Sequence, residues 1–151
     1  MAPSLLTSPV PAVTKTCIKY VVGLLFRKDG TEVALIEKLR PAWQRGRLNG
    51  IGGKIEEGEC ADDAMPREFR EETGANVVDW RMFCVLRGTA AEVSVFVAHS
   101  DIQELASITD ERVLWIPVAD LHGFQLVDKL SWLIPMALDR NSVSTVVNAP
   151  W

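Results

Sequence analysis

The sequence has few cysteines, no long apolar run and no excess of basic residues, and each absence argues against a class of protein. The 151 residues include three cysteines, widely spaced and without a C-x-x-C pair, so neither a disulfide framework nor a zinc knuckle is predicted. No apolar run approaches the roughly 20 residues that span a bilayer, so we expect no integral membrane protein. Lys and Arg number 16 against 20 Asp and Glu, which argues against duplex nucleic acid as a partner.

The remaining composition predicts one folded domain. Hydrophobic residues make up 48% and charged residues 24% of the chain, the balance of an ordinary globular protein. Residues 1–15 contain three prolines and no basic segment, so we expect a flexible lead-in rather than a secretory signal. We therefore expect a single domain over 16–140, a tail over 141–151 without a clear element, and a cytoplasmic location.

Apolar periodicity and turn residues predict an α/β or α+β fold. The strands are predicted at 17–26, 32–36, 76–87, 92–98 and 112–118. A polar loop, 39–47, and a short apolar segment, 48–51, lead into two glycines. Helices are predicted at 60–73, which ends at Gly74, and at 128–138, which contains Pro135.

Acidic residues crowd into the segment 53–75. At about 100° per residue, Glu68, Glu71 and Glu72 fall within about a 100° arc of one helix face. Three converging carboxylates repel one another unless a cation lies between them, and Mg²⁺ or Mn²⁺ prefers such oxygen ligands. The glycine at Gly53 lets the backbone approach the same place and offer a carbonyl. The alternative is a solvated helix face with an Arg67–Glu71 pair.

The same segment resembles the Nudix box, in which Gly, five residues, Glu and seven residues precede Arg-Glu-apolar-x-Glu-Glu-x-Gly-apolar. All seven polar and glycine positions match, and the mapped residues are Gly53, Glu59, Arg67, Glu68, Phe69, Glu71, Glu72, Gly74 and Ala75. Three features depart from the usual pattern: small Ala75, aromatic Phe69, and Pro66 inside the helix, which predicts a late start or a kink. The resemblance implies a Nudix fold, a mixed sheet sandwiched between helices.

The resemblance also implies a hydrolase of nucleoside diphosphates linked to another group, dependent on Mg²⁺ or Mn²⁺. It implies that Glu68, Glu71, Glu72 and the Gly53 carbonyl bind the metal, that Glu59 is a further ligand or positions water, and that Arg67 orients the carboxylates. The general base is a box glutamate or a later carboxylate, for which Asp110 and Glu111 are the candidates.

The segment 48–54 resembles that of the MutT-type branch, which cleaves oxidised purine nucleoside triphosphates. There an Asn at the position of Asn49 contacts the purine edge; the alternative is that Asn49 stabilises a turn. Asp128 is a second base-reading candidate, although a helix N-cap is favoured. Trp43 is a candidate for stacking on the base, and Lys54 for contact with a phosphate.

Other chemically active side chains are interpreted as structural. Cys60 is expected at the N-cap of the box helix, Trp115 in the core, and His99 and His122 have no partner at ligand spacing. Competing functions are hydrolysis of ADP-ribose or a dinucleoside polyphosphate, or a non-catalytic Nudix module that binds nucleotide. The resemblance leaves a homodimer open, because dimers are frequent in the family.

Overall fold

Strands dominate the structure, a computed structural model that describes residues 16–141 and 143–149. The expected lead-in, 1–15, lies outside the described residues. The elements are β1 (Ile18–Arg27), β2 (Glu32–Glu37), β3 (Leu48–Asn49), β4 (Ile51–Lys54), α1 (Ala61–Thr73), β5 (Arg81–Arg87), β6 (Ala91–Ser100), β7 (Val113–Pro117), α2 (Leu130–Leu138) and β8 (Thr145–Asn148). Within these ranges no helix has the length and apolar character needed to cross a membrane.

One mixed sheet of eight strands organises the fold. Six strands follow the order β3-β2-β1-β6-β5-β8, with β4 beside β1 and β7 beside β2. The central strand β1 is parallel to β6 but antiparallel to β2 and β4. Its first half, Tyr20–Gly23, pairs with β4, whereas Leu25 and Phe26 pair with β2. The sheet therefore divides along one flank of β1, and β4 diverges from β2.

Two hydrophobic cores lie on opposite faces of this sheet. Residues of β1 alternate between them: Val21 and Leu25 belong to the core that contains α1, and Leu24 and Phe26 to the core that contains α2. The α1 side chains Met65 and Phe69 are completely buried. The predicted mixed sheet between helices is confirmed, with α1 and α2 covering different faces.

Helix α1 matches its prediction closely. Cys60 occupies the N-cap position, and Gly74 ends the helix in the left-handed conformation at a φ of 73°. The helix continues through Pro66, so the predicted alternative of a late start is wrong.

Helix α2 begins later than predicted. Its N-cap is Lys129, at a φ of 78°, and the first helical residue is Leu130. The prediction of Asp128 as the N-cap is therefore wrong. Pro135 lies inside the helix without ending it.

Two strand predictions need correction. The strand predicted from residue 76 begins only at Arg81. In the preceding segment, 76–80, the Trp80 indole donates a hydrogen bond to the Val77 carbonyl at 2.9 Å and packs against Phe69. The apolar residues of this segment therefore cover α1 instead of extending the strand. The tail, for which no element was predicted, contributes β8, which pairs in parallel with β5.

Candidate active site

Arg67 gathers the carboxylates of the acidic segment. Its Nε lies 2.6 Å from Glu59 Oε2 and its Nη2 lies 2.7 Å from Glu59 Oε1. Its Nη1 donates to Glu68 Oε1 at 2.9 Å and to Glu71 Oε2 at 3.2 Å. Nη2 also donates to the Lys54 carbonyl at 3.2 Å, which ties the helix to the end of β4. Arg67 thus holds three carboxylates in fixed positions.

The charges of this cluster shift several pKa values. Hydrogen bonds from Arg67 lower the pKa of Glu59, and the bonds to Glu59 in turn raise the pKa of Arg67. Glu68 differs, because its burial raises its pKa although Arg67 opposes the shift. The ionised Glu68 carboxylate is therefore held at an energetic cost that an additional cation would relieve.

Strand β4 brings backbone directly against the Glu68 carboxylate. A Cβ added at Gly53 would lie 2.5 Å from Glu68 Oε2. Any side chain at this position would force the Glu68 carboxylate to move. The glycine therefore lets the Glu68 carboxylate lie directly against β4.

Glu72 makes a separate contact, with the loop before β7. Thr109 Oγ1 donates to Glu72 Oε2 at 2.8 Å. The backbone N–H groups of Ala106 and Ile108 donate to the carbonyls of Thr73 and Glu72, at the end of α1. Sequence reasoning missed Thr109, although its position beside Asp110 was the available signal. This loop thereby fixes the C-terminal end of α1.

The two late carboxylates are already paired with cations. Glu111 is buried, accepts from Lys38 Nζ at 2.6 Å and from the Leu39 backbone N–H at 3.2 Å. Asp110 forms a two-bond pair with Arg40. Both carboxylates therefore tie the loop after β2 to the loop before β7. Lys38 and Arg40 were not among the predicted site residues, because only their position after β2 distinguishes them in the sequence.

The chemistry of the donors, rather than a preformed cage, fits a hard divalent cation. Among the described residues no group of three or more Asp, Glu, His or Cys side chains is arranged to hold a metal ion. Glu59, Glu68 and Glu71 lie around Arg67, and the largely buried Glu68 carboxylate, whose pKa burial raises, faces the Gly53 backbone. Carboxylate and carbonyl oxygens are the ligands that Mg²⁺ and Mn²⁺ prefer. The residues present therefore fit such an ion.

A cavity of about 750 Å³ opens where the sheet divides. It lies on the α2 face of the sheet, and its lining contains Asn49, Trp43 and Asp128, three of the four predicted substrate-binding residues. Gly53 also lines it. The exposed residue Lys54 lies outside the lining. Strand β4 thus has the cavity on one side and the α1 glutamates on the other.

The lining side chains have local contacts of their own. Asn49 Oδ1 accepts the Gly50 backbone N–H at 2.8 Å, as the turn interpretation predicts, and still lines the cavity. Asp128 is exposed and lies 3.5 Å from Arg47. Trp43 is 59% exposed in a short 3₁₀ turn. All three side chains are therefore accessible from the cavity mouth.

Trp115 differs from Trp43 in its surroundings. It packs against the α1-side core, as predicted, and the Arg27 guanidinium lies 3.9 Å from the centre of its ring. Its indole Nε1 is buried without a hydrogen-bond partner among the described residues. The ring contributes to packing on the side of the sheet away from the cavity.

Comparison with known proteins identifies the family. The NUDIX domain model matches residues 18–134. The chain is 27% identical over 135 residues, 85% of this chain and 94% of the relative, to a Mycobacterium tuberculosis protein named "Putative 8-oxo-dGTP diphosphatase 2". A mouse "Oxidized purine nucleoside triphosphate hydrolase" is 53% identical, but only over 32 residues, 21% of this chain and 20% of the relative.

Solved structures agree on the fold. A structure from a study of MutT from Aliivibrio salmonicida and Vibrio cholerae matches with a TM-score of 0.71 and 23% identity, covering 81% of this chain and 97% of the other. The NUDIX domain of Shewanella oneidensis NrtR, complexed with ADP ribose, matches with a TM-score of 0.72 and 21% identity, covering 83% and 89%. Nudix hydrolases act on small nucleotide substrates and generally use divalent metal ions. The chain belongs to the NUDIX domain family and is a Nudix pyrophosphohydrolase with a MutT-like fold.

Proposed function

We propose that the protein hydrolyses oxidised purine nucleoside triphosphates to the nucleoside monophosphate and pyrophosphate, with Mg²⁺ as cofactor. The observation that carries this proposal is the position of β4, which has the Asn49 cavity on one side and the Glu68 carboxylate against Gly53 on the other. A nucleotide can place its base in the cavity and its phosphates at α1. The names of the mycobacterial and mouse relatives support the same substrate class.

Base recognition is assigned to the cavity. The Asn49 amide both donates and accepts hydrogen bonds, which suits a purine edge that carries both kinds of group. Asp128 supplies a second acceptor, and the exposed Trp43 ring offers a stacking surface. Lys54, beside the glycines, is assigned to a phosphate.

Metal binding is assigned to Glu68, Glu71, Glu72 and the Gly53 carbonyl. When bound, Mg²⁺ would neutralise the negative charge of the phosphates and activate the attacking water. Arg67 orients the carboxylates through the bonds described above, and Glu59 anchors Arg67 and positions water.

The hydrolytic step requires a base for the attacking water. Water forms a new bond to phosphorus, the P–O bond to the leaving phosphate group breaks, and a carboxylate accepts the proton of the water. We assign this role to a glutamate of α1, because Asp110 and Glu111 are engaged by Arg40 and Lys38.

A second candidate substrate is ADP-ribose, which the solved NUDIX domain of NrtR holds. The two candidates differ in products: a nucleoside triphosphate releases pyrophosphate, whereas ADP-ribose releases AMP and ribose phosphate. A cytoplasmic location is part of the proposal, since all three cysteines are free, as expected in a reducing compartment.

The test is a substrate panel in Mg²⁺ containing 8-oxo-dGTP, dGTP, ADP-ribose and a dinucleoside polyphosphate, with products separated by chromatography. The proposal predicts the highest kcat/KM for 8-oxo-dGTP, with 8-oxo-dGMP and pyrophosphate as products. Preferred turnover of ADP-ribose would support the second candidate. Binding without turnover of any nucleotide would overturn both.

A further inference from the structure

A second cavity lies at the opposite end of α2 from the Asn49 cavity. It measures about 420 Å³, and its lining includes Arg81, His99, Ala137 and Arg140. The Asn49 cavity instead touches the first turn of α2 and Val93 of β6. Val95 of β6 lines the Asn49 cavity and Val97 lines the second one, two strand positions or about 7 Å apart, but no residue lines both cavities. The two cavities are therefore neighbouring but distinct places beside α2.

Two exposed arginines line this second cavity. Arg81 begins β5 and Arg140 follows α2, so distant parts of the chain bring them together. Neither guanidinium group forms an ion pair or hydrogen bond with any residue that the structure describes, and Asp79 is the one carboxylate of the lining. In a chain with a formal charge of −4, this local positive charge favours an anion.

His99 adds a third nitrogen group to the same cavity. Its ring stacks on Phe26, with centroids 5.6 Å apart and planes inclined by 26°, which fixes the orientation of the imidazole. Its ring nitrogens have no hydrogen-bond partner within the described ranges. Burial lowers the pKa of His99, and the positive charges of Arg140 and Arg81 lower it further, which places both guanidinium groups in electrostatic range of the ring.

We propose that Arg81, Arg140 and His99 form a second binding site, separate from the candidate active site, that takes the phosphate group of a small molecule. Guanidinium groups present paired N–H donors that match phosphate oxygens, and an imidazole N–H adds another. Free phosphate and a phosphate carried on a nucleoside share this chemistry. The cavity is larger than a single phosphate, so comparing the affinities of free phosphate and of a nucleoside phosphate distinguishes the two sources.

The site is tested by NMR titration of the two histidine side chains, with inorganic phosphate, pyrophosphate and a nucleoside monophosphate as separate probes. A bound anion stabilises the imidazolium, so each probe that occupies the site raises the pKa of His99. His122 is the internal control, because it is exposed and lies outside the cavity. Equal ionic strength is maintained with chloride. The probe with the lowest Kd identifies the source of the phosphate.

The variant R81Q/R140Q removes both guanidinium groups, and R87Q, at the other end of β5, is the matched control. The double variant is expected to weaken phosphate binding at least tenfold, while R87Q binds as the parent does. A pKa of His99 that does not respond to any of the three probes would overturn the proposal. Unchanged phosphate binding in the double variant would also overturn the proposal. If that variant does not fold, the titration of His99 in the parent protein tests the proposal alone.

Discussion

Asn49 makes the predicted turn contact and also lines the cavity, so the turn contact does not exclude its proposed role in base recognition. Its Oδ1 accepts the Gly50 N–H, which leaves the amide N–H₂ as the group able to donate to a base. The contact of Oδ1 with the backbone is local and could be kept by an isosteric carboxylate. The two roles are therefore separable by substitution.

The variant N49D keeps an acceptor for Gly50 but loses the amide donors. We expect KM for 8-oxo-dGTP to rise about tenfold, equivalent to about 1.4 kcal/mol, while KM for dGTP changes less. N49A is the companion variant, since it loses both functions. Equal KM changes for the two nucleotides in N49D would remove the role in base recognition.

Glu68 and Glu59 have pKa shifts in opposite directions, and pH dependence follows from them. The pKa of Glu68 lies above its usual 4.5, so its ionisation lowers the free energy of unfolding as pH rises through its folded-state pKa. The pKa of Glu59 lies below 4.5, so its ionised form contributes stability above pH 4.5 that is lost as pH falls through its folded-state pKa.

The matched pair E68Q and E59Q tests this difference in metal-free protein. At pH 7 we expect E68Q to raise Tm by a few degrees, because it removes a charge that is buried at a cost. E59Q is expected to lower Tm, because it weakens both bonds to Arg67. The check is thermal unfolding at pH 7 and at pH 4; a lower Tm for E68Q at pH 7 would contradict the assignment.

At the scale of elements, each helix continues through a proline at its sixth residue, Pro66 in α1 and Pro135 in α2. A proline there lacks the N–H that would bond to the carbonyl four residues earlier. P66A is expected to stabilise the fold by about 1 kcal/mol, which raises Tm by about 3 °C. This net gain is smaller than the gain from the restored hydrogen bond, because alanine also gives the unfolded chain more conformational freedom than proline does. P135A is the matched control and is expected to give a similar gain. A decrease in Tm for P66A would show that the proline shapes α1 favourably.

The contact between β4 and α1 is tested by G53A. The added methyl group would displace the Glu68 carboxylate, so we expect kcat to fall by about 10²-fold with the fold retained. G123A is the control, because a Cβ there meets no atom within 4 Å. Measured kcat equal to that of the parent in G53A would contradict the proposed role of this contact.

Element identity could be predicted from the sequence where a local pattern decided it. The β-branched, apolar run of β1, the glycine stop at Gly74 and the N-cap at Cys60 are all local, and the structure confirms them. The apolar segment before β5 was predicted as strand because burial against Phe69 and pairing in a sheet leave the same apolar pattern. Strand β8 was missed because its pairing with β5 depends on a distant part of the chain.

At the scale of the whole molecule, the division of the sheet beside β1 brings together the cavity proposed for the substrate and the residues proposed to bind the metal. The spacing of the box predicted which glutamates share α1, since helix geometry is local. The partners of Asp110 and Glu111 could not be predicted, because Arg40 and Lys38 are about 70 residues away. The second cavity has the same origin, because three distant parts of the chain supply Arg81, His99 and Arg140 and no local motif marks it.

The most direct test of the central claim is Mn²⁺ binding measured by electron paramagnetic resonance. E71Q removes an assigned ligand, and E57Q is the matched control, an exposed glutamate of the same acidic segment outside the assigned set. We predict that E71Q weakens Mn²⁺ binding at least tenfold and abolishes pyrophosphate release, while E57Q binds as the parent does. Equal Mn²⁺ affinity in E71Q and the parent would contradict the account.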